Sequence, residues 1–122
     1  MYSPLYWDHV RNPRNNRPLT TPHKGEARFA RCGDRLTVYL EIREDRIVQA
    51  SFQARACGPV VAVASIATEL LQDTPLDEAK NLDILKLNQQ LGGLPPSKRH
   101  AFLVFLECLH QALSTQTSKQ RN

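Results

Sequence analysis

The chain has 122 residues, 41% apolar and 23% charged, with 16 Lys/Arg against 12 Asp/Glu and a formal net charge of +4. This is the balance of a folded chain, long enough to bury a core as one domain over residues 1–122 without a disulfide or metal to hold it. No stretch approaches the ~18 consecutive apolar residues of a membrane span, and the N-terminus lacks a secretory pattern, so a soluble cytoplasmic protein without a membrane partner is expected.

Ser3-Pro4 pairs an N-cap with a first-turn proline and predicts a helix through about Val10, stopped by the run NPRNNRP. Residues 13–26, rich in Pro, Asn and Thr, read as a surface loop, with a short strand expected at about 27–31. RLTVYLEI (35–42) alternates in the strand sense, with Leu36, Val38, Leu40 and Ile42 on one face. RIVQASFQA (46–54) repeats the pattern with Ile47, Ala50, Phe52 and Ala54 after one slip in phase. The polar REDR between them makes the pair an antiparallel hairpin. PVVAVASIATELLQ (59–72) is apolar on nearly every side and predicts a deeply buried helix. TPLDEAK and NLDILKLNQQLGG read as two further helices, the second stopped by Gly92-Gly93. A last helix is expected from about Ser97 to Ser114 on a stripe of Phe102, Phe105, Leu106, Leu109 and Leu113, with 115–122 a frayed tail. The order helix, strands, helices indicates an α+β fold: a three-stranded antiparallel sheet with helices on one face.

The charge is uneven. Residues 1–35 hold seven Lys/Arg against three acids, and the rest of the chain is balanced at nine of each. A basic first third suits an acidic partner surface. Nucleic acid is not expected, because no reading motif is present and the few aromatics do not interleave with the cations.

Cys32, Cys57 and Cys108 are an odd number of thiols, which does not make a disulfide framework. Cys32 and Asp34 sit in RCGD, where positions i and i+2 of an extended segment share a side. Cys57 lies in ACGP, at a strand end just before a helix, where first-turn amides and the helix dipole favour a thiolate. His100 opens the last helix after Pro95-Pro96. Taken singly, each has an ordinary explanation as a small buried hydrophobe or an incidental first-turn residue. Taken together, four soft or borderline donors at element junctions of one small fold point to zinc, copper or iron–sulfur chemistry. Cys108 is excluded from that set, because eight residues of helix displace it from His100 by about 12 Å. It reads as a packing residue, and His9, His23 and His110 carry no assignment.

These motifs resemble the NifU/IscU-type iron–sulfur cluster assembly scaffold family over nearly the whole chain. DHVRNPRN (8–15) is similar to that family's N-terminal segment, and CGD (32–34) to its first ligand loop. ACGPVVAVASIATELLQDTPLDEA (56–79) is similar to its second-cysteine helix, and LPPSKRH (94–100) to the segment before its ligand histidine. The resemblance implies a platform that receives sulfur from a cysteine desulfurase, builds a [2Fe–2S] cluster and passes it to apo-protein recipients. It implies Cys32, Cys57 and His100 as ligands of the cluster or iron and Asp34 as the carboxylate that keeps the cluster exchangeable, with zinc possible in the same site. Two departures stand out. Ala101 replaces the cysteine that directly follows the family's ligand histidine. Ser97 interrupts the family's Leu-Pro-Pro-Val-Lys segment and puts binding of the dedicated Hsp70-type chaperone in doubt.

Three functions are compatible with these residues. One is a non-enzymatic scaffold or carrier binding iron or [2Fe–2S] through Cys32, Asp34, Cys57 and His100. A second is a scaffold-fold module that holds zinc or serves as an accessory subunit without assembling clusters. The third is a thiol enzyme with Cys57 as nucleophile, His100 as base and Asp34 as orienter.

Overall fold

The computed structural model describes residues 2–29 and 34–121, without the side chains of Phe29 and 116–121. Helix α1 spans Pro4–Arg11 and begins as its sequence dictates: Ser3 Oγ accepts from Tyr6 N at 3.0 Å, with Pro4 in the first turn. The same hydroxyl donates to Leu91 O at 2.7 Å, tying the N-terminus to a distant helix end.

Three long strands follow, β1 (Lys24–Phe29), β2 (Asp34–Arg43) and β3 (Arg46–Arg55), joined later by a two-residue β4 (Thr74–Pro75). These strands pair antiparallel in the order β1-β2-β3-β4, so among the described residues the sheet has four strands rather than the three expected. β4 is too short to carry an alternation and could not announce itself as a strand. β1 also starts at Lys24, inside the stretch read as loop; the end of the strand expected over 27–31, with Cys32, lies outside the described residues. The β2–β3 turn is Glu44-Asp45, both left-handed (φ 51° and 61°), which matches the right-handed twist of the flanking strands. A register shift at Glu41/Ile42 accounts for the slip in phase, because Val48 is the extra residue between the pairs Glu41↔Gln49 and Ile42↔Ile47. Residues 14–17 are not a free loop: Asn15 O accepts from Phe52 N at 2.9 Å and lines the outer edge of β3.

α2 (Gly58–Leu71) and α5 (His100–Arg121) cover one face of the sheet, with α3 (Leu76–Lys80) and α4 (Ile84–Leu91) between them in sequence. Leu36, Val38, Leu40, Ile47, Ala50 and Phe52 from the sheet meet Val60, Val63, Ala64 and Ala67 of α2 and Phe102, Phe105 and Leu109 of α5 in one buried cluster. Leu106, expected in the stripe, is only half-buried, while Ala101, Cys108 and Ala112 fill the same face of α5. Residues Pro96–Lys98 form a 3-10 turn, so the α-helix proper starts at His100 rather than Ser97, and it runs past Ser114.

α5 lies against β1 at close range. A Cβ on Gly25 would stand 2.0 Å from Cys108 O, so the glycine is required by space and not by backbone conformation. Gln111 Oε1 accepts from Glu26 N at 3.1 Å. Three residues earlier on the helix, the Cys108 thiol faces Leu36 O at 3.6 Å, where Leu36 pairs with Ala27. From Gln111 back to Cys108, then, α5 travels from Glu26 toward the Phe29 end of β1, antiparallel to that strand.

Candidate functional site

The direction of α5 determines where its first residue lies. His100 is eight residues before Cys108, about 12 Å along the helix axis. Phe29 and Asp34 are only two residues, about 7 Å, beyond the Ala27–Leu36 pair. His100, exposed, therefore overshoots the sheet at the end where β1 passes into β2. Asp34, half-exposed, is the opening residue of β2 at that same end. Arg35 is paired directly with Arg55, and Cys57 follows Arg55 by two positions, so the cysteine leaves the sheet at this end as well. The fold thus brings Asp34, Cys57 and His100, 66 positions apart at the extremes, to one edge of the molecule. Cys32, two positions before Asp34, lies outside the described residues. Among the described residues no three His, Cys, Asp or Glu side chains form a group able to hold a metal ion, so Asp34, Cys57 and His100 do not close a ligand set by themselves.

Cys57 is the N-cap of α2, in extended conformation, exposed, and its thiol makes no capping hydrogen bond. Its carbonyl instead starts the helix by accepting from Val61 N at 3.2 Å. Behind it, Gly58 lets α1 approach: a Cβ there would stand 2.9 Å from the Tyr6 hydroxyl. Burial, with smaller contributions from Tyr2 and Cys57, pushes the Tyr6 phenol up to about 12, so it remains a neutral donor beside the cysteine turn. Tyr2 stacks on Tyr6 at 4.2 Å and Trp7 meets Tyr6 edge-on at 5.1 Å, which makes an aromatic backing for this turn.

Cys108 is separated from this edge, fully buried, and its thiol is raised to about 12, chiefly by burial, which suits the packing role read from the sequence.

His9 has a role that sequence reasoning missed. It is buried, its Nδ1 lies 2.6 Å from Ser65 Oγ on α2, and Ser65 Oγ also accepts from Arg14 N at 2.9 Å. A serine hydroxyl offers one donor and two acceptor sites, so Ser65 Oγ serves Arg14 N and His9 Nδ1 at the same time. Burial first, and then the Arg14 charge, lower the His9 pKa, against the opposite pull of Glu69 and Asp8. Arg14 pairs with Asp8, and Asn15 Nδ2 donates to Thr68 Oγ1 at 3.3 Å. The motif DHVRNPRN is therefore a polar lock between the N-terminal segment and α2, the helix that Cys57 caps. The signal was present in the sequence, but its partners Ser65 and Thr68 sit on an apolar helix more than 50 residues away.

A family model described as NifU-like N terminal domain matches residues 1–122. The chain belongs to that family. Among the relatives of this NifU-like domain is an iron-sulfur cluster assembly scaffold protein IscU of Aquifex aeolicus, 34% identical over 122 residues (98% of this chain, 78% of the relative). An IscU of Archaeoglobus fulgidus is 32% identical over 114 residues (93% and 74%). The fold of the present chain is shared with a putative iron-sulfur cluster assembly scaffold protein for the SUF system from Fervidobacterium islandicum, at a TM-score of 0.71 and 20% identity (89% of this chain, 93% of that one). A NifU-like protein (N-terminal) from Brucella abortus matches at a TM-score of 0.61 and 17% identity (93% and 80%). In this NifU-like domain the residue after His100, Ala101, is fully buried.

Proposed function

We propose that the chain is an iron–sulfur cluster assembly scaffold or carrier, which holds iron or a [2Fe–2S] cluster as cargo through Cys32, Asp34, Cys57 and His100. The observation that carries this reading is the gathering of Asp34, Cys57 and His100 at one sheet end, with Cys32 two positions from Asp34. Two thiolates and an imidazole suit iron; a carboxylate, the harder donor of the set, favours release over retention. A scaffold of this kind is not a catalyst, since it receives sulfur from a cysteine desulfurase and surrenders the cluster to apo-proteins. With Ala101 in place of a third thiol, sulfur arrives on Cys32 or on the exposed Cys57. The exposed turn Pro96–Lys98 carries Ser97 where the resemblance expects valine, which argues against recognition by an Hsp70-type chaperone. No helix among the described residues is long and apolar enough to cross a membrane; the cytoplasmic location we propose rests on the scaffold resemblance alone.

The buried Ala101 favours a second reading, a module that keeps the four donors for zinc but assembles no cluster. Anaerobic purification followed by an absorption spectrum and metal analysis separates the two. Iron with sulfide and visible charge-transfer bands support the scaffold; about one zinc and no colour support the module.

A further inference from the structure

The outward face of the sheet presents an arrangement that packing does not explain. Arg28 pairs directly with Arg35, and Arg35 directly with Arg55, so three guanidinium side chains form one row across three strands on one face. Directly opposed residues lie about 5 Å apart at Cβ, and like charges so placed are destabilising. Among the described residues, a single long ion pair is all that offsets the cost of the row. That pair joins Arg28 to Glu26 at 4.0 Å, and among the described residues Lys24, Arg35 and Arg55 make no ion pair. The adjoining rows are polar, Glu26–Thr37–Gln53 and then Lys24–Tyr39, and with Arg35 and Arg55 they line a shallow hollow of about 590 Å³. Tyr39 donates to Gln53 Oε1 at 2.7 Å within it.

We propose that this face docks an acidic helix of a partner protein, whose carboxylates engage the row Arg28, Arg35 and Arg55. The spacing supports a helix. The row spans about 10 Å across three strands, with neighbours at about 5 Å, and carboxylates four residues apart on a helix are themselves about 5–6 Å apart. Guanidinium forks match carboxylates bidentately, which a row of lysines would not do. A small anion is the poorer fit, because Arg35 and Arg55 are exposed and would leave it hydrated. Location adds a consequence. Arg55 is two residues before Cys57 and Arg35 directly follows Asp34, so a partner bound on the row borders the candidate site without occupying it.

The test uses the full chain and a fluorescent, alanine-based helical peptide with Glu at every fourth position of one face. Its counterpart with Gln at those positions and a single-stranded oligonucleotide serve as competing probes. Anisotropy at low ionic strength should show binding of the Glu peptide, none of the Gln peptide, and weakening with added salt. Replacing Arg28, Arg35 and Arg55 together by Ser should weaken the Glu peptide about tenfold, the product of three exposed ion pairs. A Lys peptide should bind an Arg35→Glu, Arg55→Glu variant that the Glu peptide no longer binds. Absence of binding to the native chain, equal binding to the triple variant, or tighter binding of the oligonucleotide would each overturn the proposal.

Discussion

Gly25→Ala is the substitution whose effect the structure determines most sharply. The added Cβ would lie 2.0 Å from Cys108 O, 2.8 Å from Cys108 C and 2.8 Å from Gln111 Cβ. Ordinary contact begins near 3.4 Å, so the carbonyl must retreat by about 1.4 Å. Two of these atoms are backbone in the middle of α5, and no rotamer change relieves them. Either the helix lifts off β1, loosening Phe105, Cys108 and Leu109 from the sheet, or β1 bends away from β2. Overpacking of this kind costs about 1–3 kcal/mol, and the clash with backbone puts Gly25→Ala at or above the upper end of that range. Urea unfolding followed by far-ultraviolet circular dichroism reads it directly as a lower midpoint at unchanged slope. Because α5 also carries His100, the variant should lose iron affinity even under conditions where it is fully folded. A Gly25→Ala midpoint equal to that of the native chain would mean that α5 does not rest on β1 at this distance.

His9 provides a pH dependence. Its folded pKa is lowered below the ordinary 6.5 of the unfolded chain, so the unfolded state takes up the proton first and stability falls as pH drops below 6.5. His9→Gln should flatten the stability profile between pH 7.5 and about 5, as followed by urea midpoints. Asp8, held low chiefly by its hydrogen bond from Arg14, titrates below that window. Arg35→Gln removes two like-charge cross-strand pairs, so it should raise stability, by the roughly 0.2–1 kcal/mol per pair typical of opposed side chains, whereas an ordinary surface substitution would leave it unchanged. Cys108→Ala should cost about 1 kcal/mol through the small cavity it leaves while leaving iron loading intact; calorimetry and metal analysis of one preparation report both.

Much of the fold was legible because the long elements have clear periods. Leu36, Val38 and Leu40 alternate as a strand face must, and α2 is buried on almost every side because its sequence offers no polar face. What escaped the sequence depends on contacts between distant residues. Lys24 and Gly25 look like loop because they close a stretch rich in Pro, Asn and Thr, and the glycine is there for a helix more than 80 residues later. The phase slip before Ala50 is intelligible only once Val48 is seen as the extra residue of a bulge. His9 had no visible partner because Ser65 is camouflaged in an apolar helix. The alignment of Arg28, Arg35 and Arg55 requires the register, which no local pattern encodes. At the candidate site, the residue types and their positions at element junctions could be read from the chain; that α5 runs antiparallel to β1, and so delivers His100 to the Cys57 end, could not.

The proposed function requires those separated donors to act on one ion or cluster. Anaerobic loading with ferrous iron and sulfide, quantified per chain for the native protein and for Cys32→Ser, Cys57→Ser, His100→Ala and Cys108→Ala, tests it most directly. The first three variants should fail to retain iron and sulfide after desalting, while Cys108→Ala should match the native chain. Retention by Cys57→Ser and His100→Ala at the native level would contradict it.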